Sequence, residues 1–293
     1  MESLRFLSPK EVDDIRIEFG SPVFVYDEAI LRENARTLKA FPNAFGLKPR
    51  YAMKAAPTAA IIRIFNQEGL GIDASSGHEL ERAIRVGFGT ESISLSTQQM
   101  PENFRVWVDE GVSINLCSLN QIKLFASICP GRAVGLRFNP GLGSGGTNRT
   151  NVGGPASSFG IWKGDIQEAR KLCEEANLEV TRIHTHIGSG SDPEVWKKVA
   201  GMSLDIVRQF PDVQSLNLGG GFKVGRMSGE TSTNLGEVGS PVKTAFEEFA
   251  AETGRELLLE LEPGTFLVAN ACSLVTKVQD VTSTGEEGYR FFR

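Results

Sequence analysis

The sequence has 293 residues, of which 40% are hydrophobic and 23% charged, and its formal net charge is −5 at pH 7. The length exceeds that of an average domain, although a barrel of alternating strands and helices commonly takes about 250 residues as one unit. Basic residues are scattered along the chain, and no apolar run approaches the ~20 residues that a membrane-spanning helix needs. We therefore expect a globular protein that binds neither nucleic acid nor membranes.

The four cysteines are far apart in the sequence and show no CxxC spacing, which argues against a zinc site or a disulfide framework. They are Cys117, Cys129, Cys173 and Cys272. The first residues, Met1 to Phe6, lack the apolar region of a signal peptide. These features favour reduced thiols in the cytoplasm, with a plastid or another organelle as the alternative if a targeting segment has been removed.

Apolar runs bounded by turn residues predict a strand over 21–26, an amphipathic helix over 28–41, and then a repeated strand–helix unit. The eight strands of this unit are expected at 50–54, 70–74, 91–96, 112–117, 133–138, 180–186, 213–218 and 257–262. Strands that alternate with helices pair in parallel, and eight of them close into a (β/α)8 TIM-like barrel of the α/β class. An open doubly wound sheet, with another strand order, is the alternative fold.

Other patterns mark helix starts, long loops and the limits of the barrel. Helices are predicted to begin at Ser76 with Glu79, Ser118 with Gln121, Asp192 with Pro193, and Ser240 with Pro241. Long loops are expected over 141–155 and 222–239, and residues 266–281 alternate like a strand. We predict three parts: 1–26, an N-terminal strand segment of a β-rich domain; 27–268, the barrel; and 269–293, the start of that largely missing second domain.

Lys54 ends the first strand of the repeated unit. A lysine in this position is either an amine that traps a carbonyl group or an ordinary solvated loop residue. The carboxyl ends of barrel strands converge on one mouth, so the other strand ends help to decide between these interpretations. They carry Asp73, Ser96, Cys117, Arg137, His184, His186, Gly219, Gly220, Gly221 and Glu262.

Two of these strand ends suggest a phosphate and a cationic ring. The glycines at 219–221 let backbone N–H groups approach an anion, and Ser189 could add a hydroxyl, whereas a flexible turn is the alternative. Glu262 closes an apolar strand, where a carboxylate needs a cationic partner such as a protonated pyridine nitrogen. An ordinary ion pair with Arg137 or Lys54 is the alternative for Glu262.

The remaining polar strand ends carry weaker signals. His184 and His186 lie two apart, so both would point to one side of a strand. A metal site lacks a third ligand with matching spacing, and a flat imidazole stacked on a planar cofactor fits better than packing alone. Arg137 could donate to a phenolic or phosphate oxygen or form a buried ion pair, and Asp73 could position Lys54 or the cofactor or cap its strand.

An amine, a phosphate cradle, a carboxylate for a ring nitrogen and a planar stacking partner together describe pyridoxal 5'-phosphate held as a Schiff base. Five motifs that carry these residues resemble the fold-type III pyridoxal-phosphate-dependent decarboxylases, closest to the members that act on diaminopimelate. They are Tyr51-Ala52-Met53-Lys54-Ala55, Asp73-Ala74-Ser75-Ser76-Gly77-His78-Glu79-Leu80, His184-Thr185-His186-Ile187-Gly188-Ser189, Leu218-Gly219-Gly220-Gly221-Phe222 and Glu262-Pro263-Gly264.

The resemblance implies an alanine racemase-like barrel in which Lys54 binds the cofactor covalently, His186 stacks on its ring and Glu262 pairs with the pyridine nitrogen. The cofactor-binding residues that it implies are Lys54, Asp73, Arg137, His186, Ser189, Gly219, Gly220, Gly221, Glu262, Pro263, Gly264 and Thr265. It also implies a homodimer with the active site between the barrel of one subunit and the β-domain of the other. The implied reaction converts the amino acid meso-2,6-diaminopimelate to L-lysine and carbon dioxide.

Three departures from the family pattern leave alternatives open. Thr265 stands where the family has arginine, so Arg137 or Arg149 would have to replace that contact. The loop over 141–159 is richer in glycine and lacks the lysine usual before Phe-Gly. The cysteine–glutamate pair and the tyrosine of the family's C-terminal domain lie beyond residue 293, so we expect the chain to be catalytically incomplete. The alternative functions are decarboxylation of ornithine, arginine or carboxynorspermidine, and cofactor binding by a non-catalytic regulator.

Overall fold

The computed structural model describes residues 6–142, 153–186 and 190–293. The helices of this part are α1 Pro9–Phe19, α2 Glu28–Lys39, α3 Ala59–Gln67, α4 Gly77–Val86, α5 Phe104–Asp109, α6 Leu119–Ile128, α7 Ile166–Glu175, α8 Pro193–Val207, α9 Leu235–Thr253 and α10 Thr265–Val268. The strands are β1 Val23–Tyr26, β2 Leu47–Ala52, β3 Gly71–Ala74, β4 Ile93–Ser96, β5 Ser113–Leu116, β6 Ala133–Asn139, β7 Ile161–Trp162, β8 Glu179–Thr185, β9 Ser215–Asn217, β10 Leu258–Leu261, β11 Cys272–Val275, β12 Val281–Ser283 and β13 Arg290–Phe292. Short 3-10 turns occur at Met53–Ala55, Thr90–Ser92, Lys163–Asp165 and Ala269–Ala271.

Eight parallel strands form a closed barrel. Around the ring they follow chain order, β2, β3, β4, β5, β6, β8, β9 and β10, and β10 pairs with β2 to close it. The short strand β7 pairs with β6 outside the ring. Each of the eight predicted strands overlaps one barrel strand, so the predicted TIM-like fold is confirmed and the open doubly wound sheet is excluded.

The barrel strands alternate between an apolar outer face and a polar inner face. Tyr51 is fully buried, and its ring lies 4.5 Å from that of Phe65 on α3. Arg50 and Glu260, on neighbouring strands, form a buried ion pair inside the ring. Because outward positions pack on the helices, the inward positions are left to carry charge and hydrogen bonds toward the carboxyl end of the barrel.

The two ends of the chain meet beside the barrel. Strand β1 pairs antiparallel with β11, in the register Phe24 to Leu274. Helix α1 precedes β1 and begins at a capping box made by Ser8 and Glu11, a signal that the sequence carries and that was not used to predict a helix. Within residues 6–26, strand structure is confined to β1. The division into parts at 26/27 and 268/269 stays a prediction.

The predicted start of α9 at Ser240 is wrong. The helix begins six residues earlier, with Asn234 as its N-cap, whose Oδ1 accepts the N–H of Gly236 at 3.0 Å. Ser240 instead donates its hydroxyl to the Gly236 carbonyl at 2.7 Å, and Pro241 lies inside the helix. A Ser-Pro pair resembles a helix start locally, but the stronger asparagine cap upstream determines where α9 begins.

The prediction of strand-like structure over residues 266–281 is wrong for 266–271 and for 276–280. Residues 266–271 are helical, in α10 and the following 3-10 turn, and the strand begins only at β11. The side chain of Asn34 on α2 donates to the Leu267 carbonyl at 3.0 Å, a contact that the alternation of residues along the sequence cannot reveal.

Within the residues described above, no helix has both the length and the apolar character needed to cross a bilayer.

Candidate active site

A cavity of about 770 Å³ opens at the carboxyl ends of the barrel strands. Seven of the residues predicted to form the site line it, namely Lys54, Asp73, Arg137, His186, Gly219, Gly220 and Glu262. Gly221 and Pro263 adjoin lining residues in the chain, but neither they nor Gly264 and Thr265 are part of the cavity wall. Ser189 and Arg149 lie outside the described residues, as does most of the glycine-rich loop.

Lys54 lies in the short turn after β2, whereas the predicted strand continued to residue 54. The strand ends at Ala52, whose N–H donates to the Pro263 carbonyl at 3.1 Å. On the other side of the turn, the Tyr51 hydroxyl donates to the Ala56 carbonyl at 3.0 Å. These two bonds fix the backbone around Lys54, and the exposed lysine side chain lines the cavity.

Pro263 and Gly264 support the lysine turn from the neighbouring strand end. A Cβ added to Gly264 would lie 2.9 Å from the Ala52 carbonyl oxygen and 3.0 Å from the Ala55 Cβ. The close approach explains why glycine follows Pro263, since a larger residue would displace the turn. Thr265 is exposed and begins α10. The cofactor-binding roles of these residues stay predictions.

The glycine run after β9 approaches its neighbours too closely for any side chain. A Cβ on Gly219, which has φ +72°, would lie 2.4 Å from His186 Nδ1. One on Gly220 would lie 2.5 Å from a backbone oxygen just after β10. The N–H groups of Gly220 and Gly221 have no acceptor in the part of the chain that the structure describes. Backbone donors of this kind beside a cavity are suited to bind a phosphate.

Glu262 is buried at the base of the cavity and is contacted by two neutral side chains. Asn217 Nδ2 donates to Glu262 Oε1, and His184 Nε2 lies 3.4 Å from Glu262 Oε2. Among the described residues, neither Arg137 nor Lys54 forms an ion pair with Glu262. The geometry therefore gives no support to the alternative in which Glu262 serves an ordinary ion pair.

Two of the carboxyl groups that line the cavity, those of Asp73 and Glu262, are buried, and burial disfavours their charged forms. Burial raises the pKa of Glu262, although the nearby guanidinium groups of Arg50 and Arg182 lower it. Burial also raises the pKa of Asp73 well above its usual range, with a further rise from the charge of Glu262. Asp73 Oδ1 has no hydrogen-bond partner among the described residues. A cationic or proton-bearing group in the cavity would satisfy both carboxyl groups.

The two buried histidines of the site, His184 and His186, each have a lowered pKa, which favours the neutral ring. Burial lowers the pKa of His186 to about 3, with Arg137 and Lys54 adding to the effect, and lowers the pKa of His184 well below 6.5. His186 Nδ1 has no hydrogen-bond partner within the described ranges. The same ranges contain no group of three or more side chains suited to hold a metal ion. A neutral imidazole is suited to flat contact with a planar ring.

The pKa of His186 predicts how stability responds to acid. Because its pKa is lower in the folded chain than in the unfolded chain, its contribution is present above pH 6.5 and is lost as the pH falls toward 3. As the pH is lowered below 6.5, the free energy of unfolding should fall more steeply in the wild type than in the His186→Gln variant. The difference between the two slopes should be about 1.4 kcal/mol per pH unit. Urea unfolding across this range measures the difference, with exposed His78→Gln as the control. Equal slopes for His186→Gln and wild type would contradict the assignment.

Arg137 is half-buried in the cavity wall. Its guanidinium carbon lies 5.2 Å from the centre of the Phe159 ring, which also lines the cavity. No carboxylate pairs with Arg137 among the residues described, so the geometry does not support its role in a structural ion pair. A guanidinium in this position is available to an oxygen of a bound ligand.

Sequence reasoning missed Asn217, which holds Glu262 directly. Its Oδ1 accepts the Gly219 N–H at 2.7 Å while its Nδ2 donates to the Glu262 carboxylate. The signal was present, because Asn217 is a polar residue between Leu216 and Leu218 and lies two positions before the glycines. Asn217 therefore couples the glycine run to the buried acid.

These residues fit pyridoxal 5'-phosphate. The free N–H groups of the glycine run suit its phosphate, and buried Glu262 suits a protonated ring nitrogen. Lys54 supplies the amine that attaches to an aldehyde. The orphaned carboxyl oxygen of Asp73 and the space that a Cβ at Gly219 or Gly220 would fill are further signs of a site built around a ligand.

The fold and the site define an eight-stranded barrel with a lysine, Lys54, at its mouth. The chain belongs to the pyridoxal-dependent decarboxylases, because residues 28–269 match the family described as "Pyridoxal-dependent decarboxylase, pyridoxal binding domain". The resemblance identified from the five sequence motifs is thereby confirmed.

Known relatives carry a more specific name. The chain is 33% identical over 278 residues to diaminopimelate decarboxylase of Escherichia coli K12. This alignment covers 93% of this chain and 65% of the relative. The enzyme of the same name from Streptomyces coelicolor is 32% identical over 268 residues, covering 89% and 60%. A crystal structure of a diaminopimelate decarboxylase matches with a TM-score of 0.89 at 31% identity, covering 98% of this chain and 68% of that one. The chain thus spans somewhat less than two thirds of these two curated relatives.

Proposed function

We propose that the protein is the pyridoxal-phosphate-binding part of an enzyme that converts meso-2,6-diaminopimelate to L-lysine and carbon dioxide. The observation that carries this proposal is that Lys54, buried Glu262 and Gly220, whose N–H has no acceptor among the described residues, line one cavity. The barrel that contains the cavity is about a third identical to two diaminopimelate decarboxylases. Their name supports the choice of substrate, since the barrel residues alone do not distinguish one diamino acid from another.

The cofactor, when bound, supplies an electron sink for the electron pair that is released as the carboxylate leaves. The chain's own residues bind and orient it. Lys54 Nζ provides the amine for covalent attachment, and the N–H groups of Gly220 and Gly221 donate to the phosphate. Glu262 accepts a hydrogen bond from the ring nitrogen and keeps a proton there, which strengthens the electron sink.

The other lining residues complete these interactions. His186, neutral and flat, stacks on the ring, and Asp73 holds a proton or faces the Lys54 amine. Arg137 donates to a phenolic or phosphate oxygen, and this role compensates for Thr265, which is exposed and outside the cavity wall. Ser189 belongs to the same proposal through its motif.

We also propose that the enzyme acts as a homodimer whose second subunit covers the mouth of the cavity. The Lys54 side chain is exposed at this mouth. On the adjoining β1–β11 pair, Phe24 and Leu274 are 65% and 54% exposed, and adjacent exposed apolar side chains favour an interface.

The proposed location of the protein is the cytoplasm. Its four cysteines are free thiols, which is the form that the cytoplasm maintains.

The activity is tested by carbon dioxide release from the full-length polypeptide that carries these residues. We expect release from meso-2,6-diaminopimelate with a kcat/KM at least about 100-fold above that for ornithine, arginine or carboxynorspermidine. A higher kcat/KM for ornithine, arginine or carboxynorspermidine would show that this compound, and not diaminopimelate, is the substrate of the enzyme. No release from any of them, in protein that carries the cofactor, would instead identify a cofactor-binding regulator.

A further inference from the structure

We propose that His184 is a positioning residue for Glu262, held by buried hydrogen bonds with its ring N–H directed at the carboxylate. The inference concerns a residue to which the proposed reaction gives no role, and it rests on the proposed function of Glu262 as the partner of the cofactor ring. In this arrangement His184 and Asn217 each face one oxygen of Glu262, so the carboxylate stays a hydrogen-bond acceptor.

The hydrogen bonds begin at a buried arginine inside the barrel. Arg182 Nε lies 3.2 Å from Glu260 Oε2, and its Nη1 donates to Ser94 Oγ at 3.0 Å and to Asn115 Oδ1 at 3.4 Å. All four side chains are buried. Since a guanidinium only donates, the amide of Asn115 must present its oxygen to Arg182. A flipped amide would set donor against donor.

The orientation of Asn115 determines the next bond. With its oxygen toward Arg182, its Nδ2 donates to Ser96 Oγ at 2.8 Å and to Ser94 Oγ at 3.1 Å. Gly135 on the neighbouring strand provides the space, because a Cβ there would lie 2.2 Å from Asn115 Oδ1. Ser96 thus accepts a hydrogen bond from Asn115 and keeps its own hydroxyl hydrogen for another acceptor.

In the proposed arrangement that acceptor is His184. Ser96 Oγ lies 3.4 Å from His184 Nδ1, and an imidazole nitrogen that accepts a hydrogen bond carries no proton. In the proposed arrangement the neutral ring has its proton on Nε2, which lies 3.4 Å from Glu262 Oε2 and makes no shorter or better-aligned hydrogen bond within the described ranges. In the opposite tautomer a lone pair on Nε2 would face the carboxylate and repel it.

The charges around His184 support a neutral ring. The cations that face it are Arg182 from its own strand, Arg137 from β6 and Lys54 from the turn after β2, and neutral His186 lies beyond β8. Burial lowers the pKa of His184, and these cations lower it further. The anionic group that faces it is Glu262. A neutral donor at this point favours the ionised carboxylate without placing a second buried cation in the site.

The test measures the tautomer of His184 directly, in the cofactor-free chain. The sequence contains three histidines, so long-range proton–nitrogen NMR spectra of histidine-labelled protein are assigned with His78→Gln and His186→Gln variants. At pH 7 we expect His184 to carry its proton on Nε2. Ser96→Ala should raise the population of the Nδ1-protonated form, whereas Ser127→Ala, a matched change at an exposed serine, should leave it unchanged. A proton on Nδ1 of His184 in the wild type would overturn the proposal.

A second readout follows the cofactor. Titration of the wild-type chain with pyridoxal 5'-phosphate, followed by absorbance, should give a dissociation constant that rises about tenfold in His184→Phe and is largely restored in His184→Gln, which keeps a donor. Equal binding by His184→Phe and wild type would overturn the proposal even if the tautomer is as expected. The wild type could bind no cofactor while His184 is protonated on Nε2. That result would contradict the proposed function but would leave the proposed orientation of His184 toward Glu262 supported.

Discussion

Replacement of Lys54 by alanine is expected to abolish covalent cofactor binding. The reason is positional, because Lys54 is the lysine that lines the cavity together with the glycine run and Glu262. After incubation with pyridoxal 5'-phosphate and borohydride reduction, mass spectrometry should find the cofactor on the Lys54 peptide of the wild type and on no peptide of Lys54→Ala. Carbon dioxide release by the full-length polypeptide should fall about 10³-fold or more.

Two controls test whether the effect of Lys54→Ala is due to loss of the Lys54 amine: a different lysine variant and a measurement of stability. Lys163→Ala removes a lysine that lies outside the cavity wall, and it should retain both the modification and the activity. Since the Lys54 side chain is exposed, Lys54→Ala should unfold at the same urea concentration as the wild type. A cofactor adduct at another lysine of a folded Lys54→Ala variant would show that the amine has been assigned to the wrong residue.

Replacement of Glu260 by glutamine is expected to destabilise the fold by about 3–5 kcal/mol. Glu260 Oε2 contacts both Arg50 and Arg182, and all three side chains are buried inside the barrel. Without this carboxylate, the two buried guanidinium groups would lose the one acidic side chain that contacts them both. Unfolding of the cofactor-free chain in urea measures the loss, which is a large part of the total stability of a typical domain.

The pH dependence of this ion cluster has a definite sign. Burial by itself would raise the pKa of Glu260, but Arg182 and Arg50 hold it below its usual range. The contribution of the cluster is therefore present above the unfolded pKa and is lost as the pH falls through the folded one. The control is Glu252→Gln, at an exposed pair with Arg208, which should change stability little. A loss for Glu260→Gln no larger than this control would contradict the account.

The barrel could be predicted from the sequence because its evidence is local and repeated. Each strand is a short apolar run followed by a helical pattern, and eight repeats have one simple closure. The position of Lys54, the glycine run and Glu262 around one mouth followed from that closure, since each comes directly after a strand. The roles of Lys54, the glycine run and Glu262 in cofactor binding are inferred from the family resemblance and are tested by the experiments described above.

Contacts between distant strands could not be predicted in this way. Glu260 interrupts an apolar strand in the sequence, and its partners Arg50 and Arg182 are 210 and 78 positions away. Only the register of β10 against β2 brings the first pair together. Asn217 and His184 are similar cases, because the contacts of an inward-facing polar side chain depend on which strands lie across the ring.

The most direct test of the central claim is a crystal structure of the protein with pyridoxal 5'-phosphate. The account predicts a covalent link to Lys54 Nζ, phosphate oxygens at hydrogen-bond distance from the N–H groups of Gly220 and Gly221, and the ring nitrogen beside Glu262. A phosphate held at a different strand end, or a ring nitrogen turned away from Glu262, would contradict it.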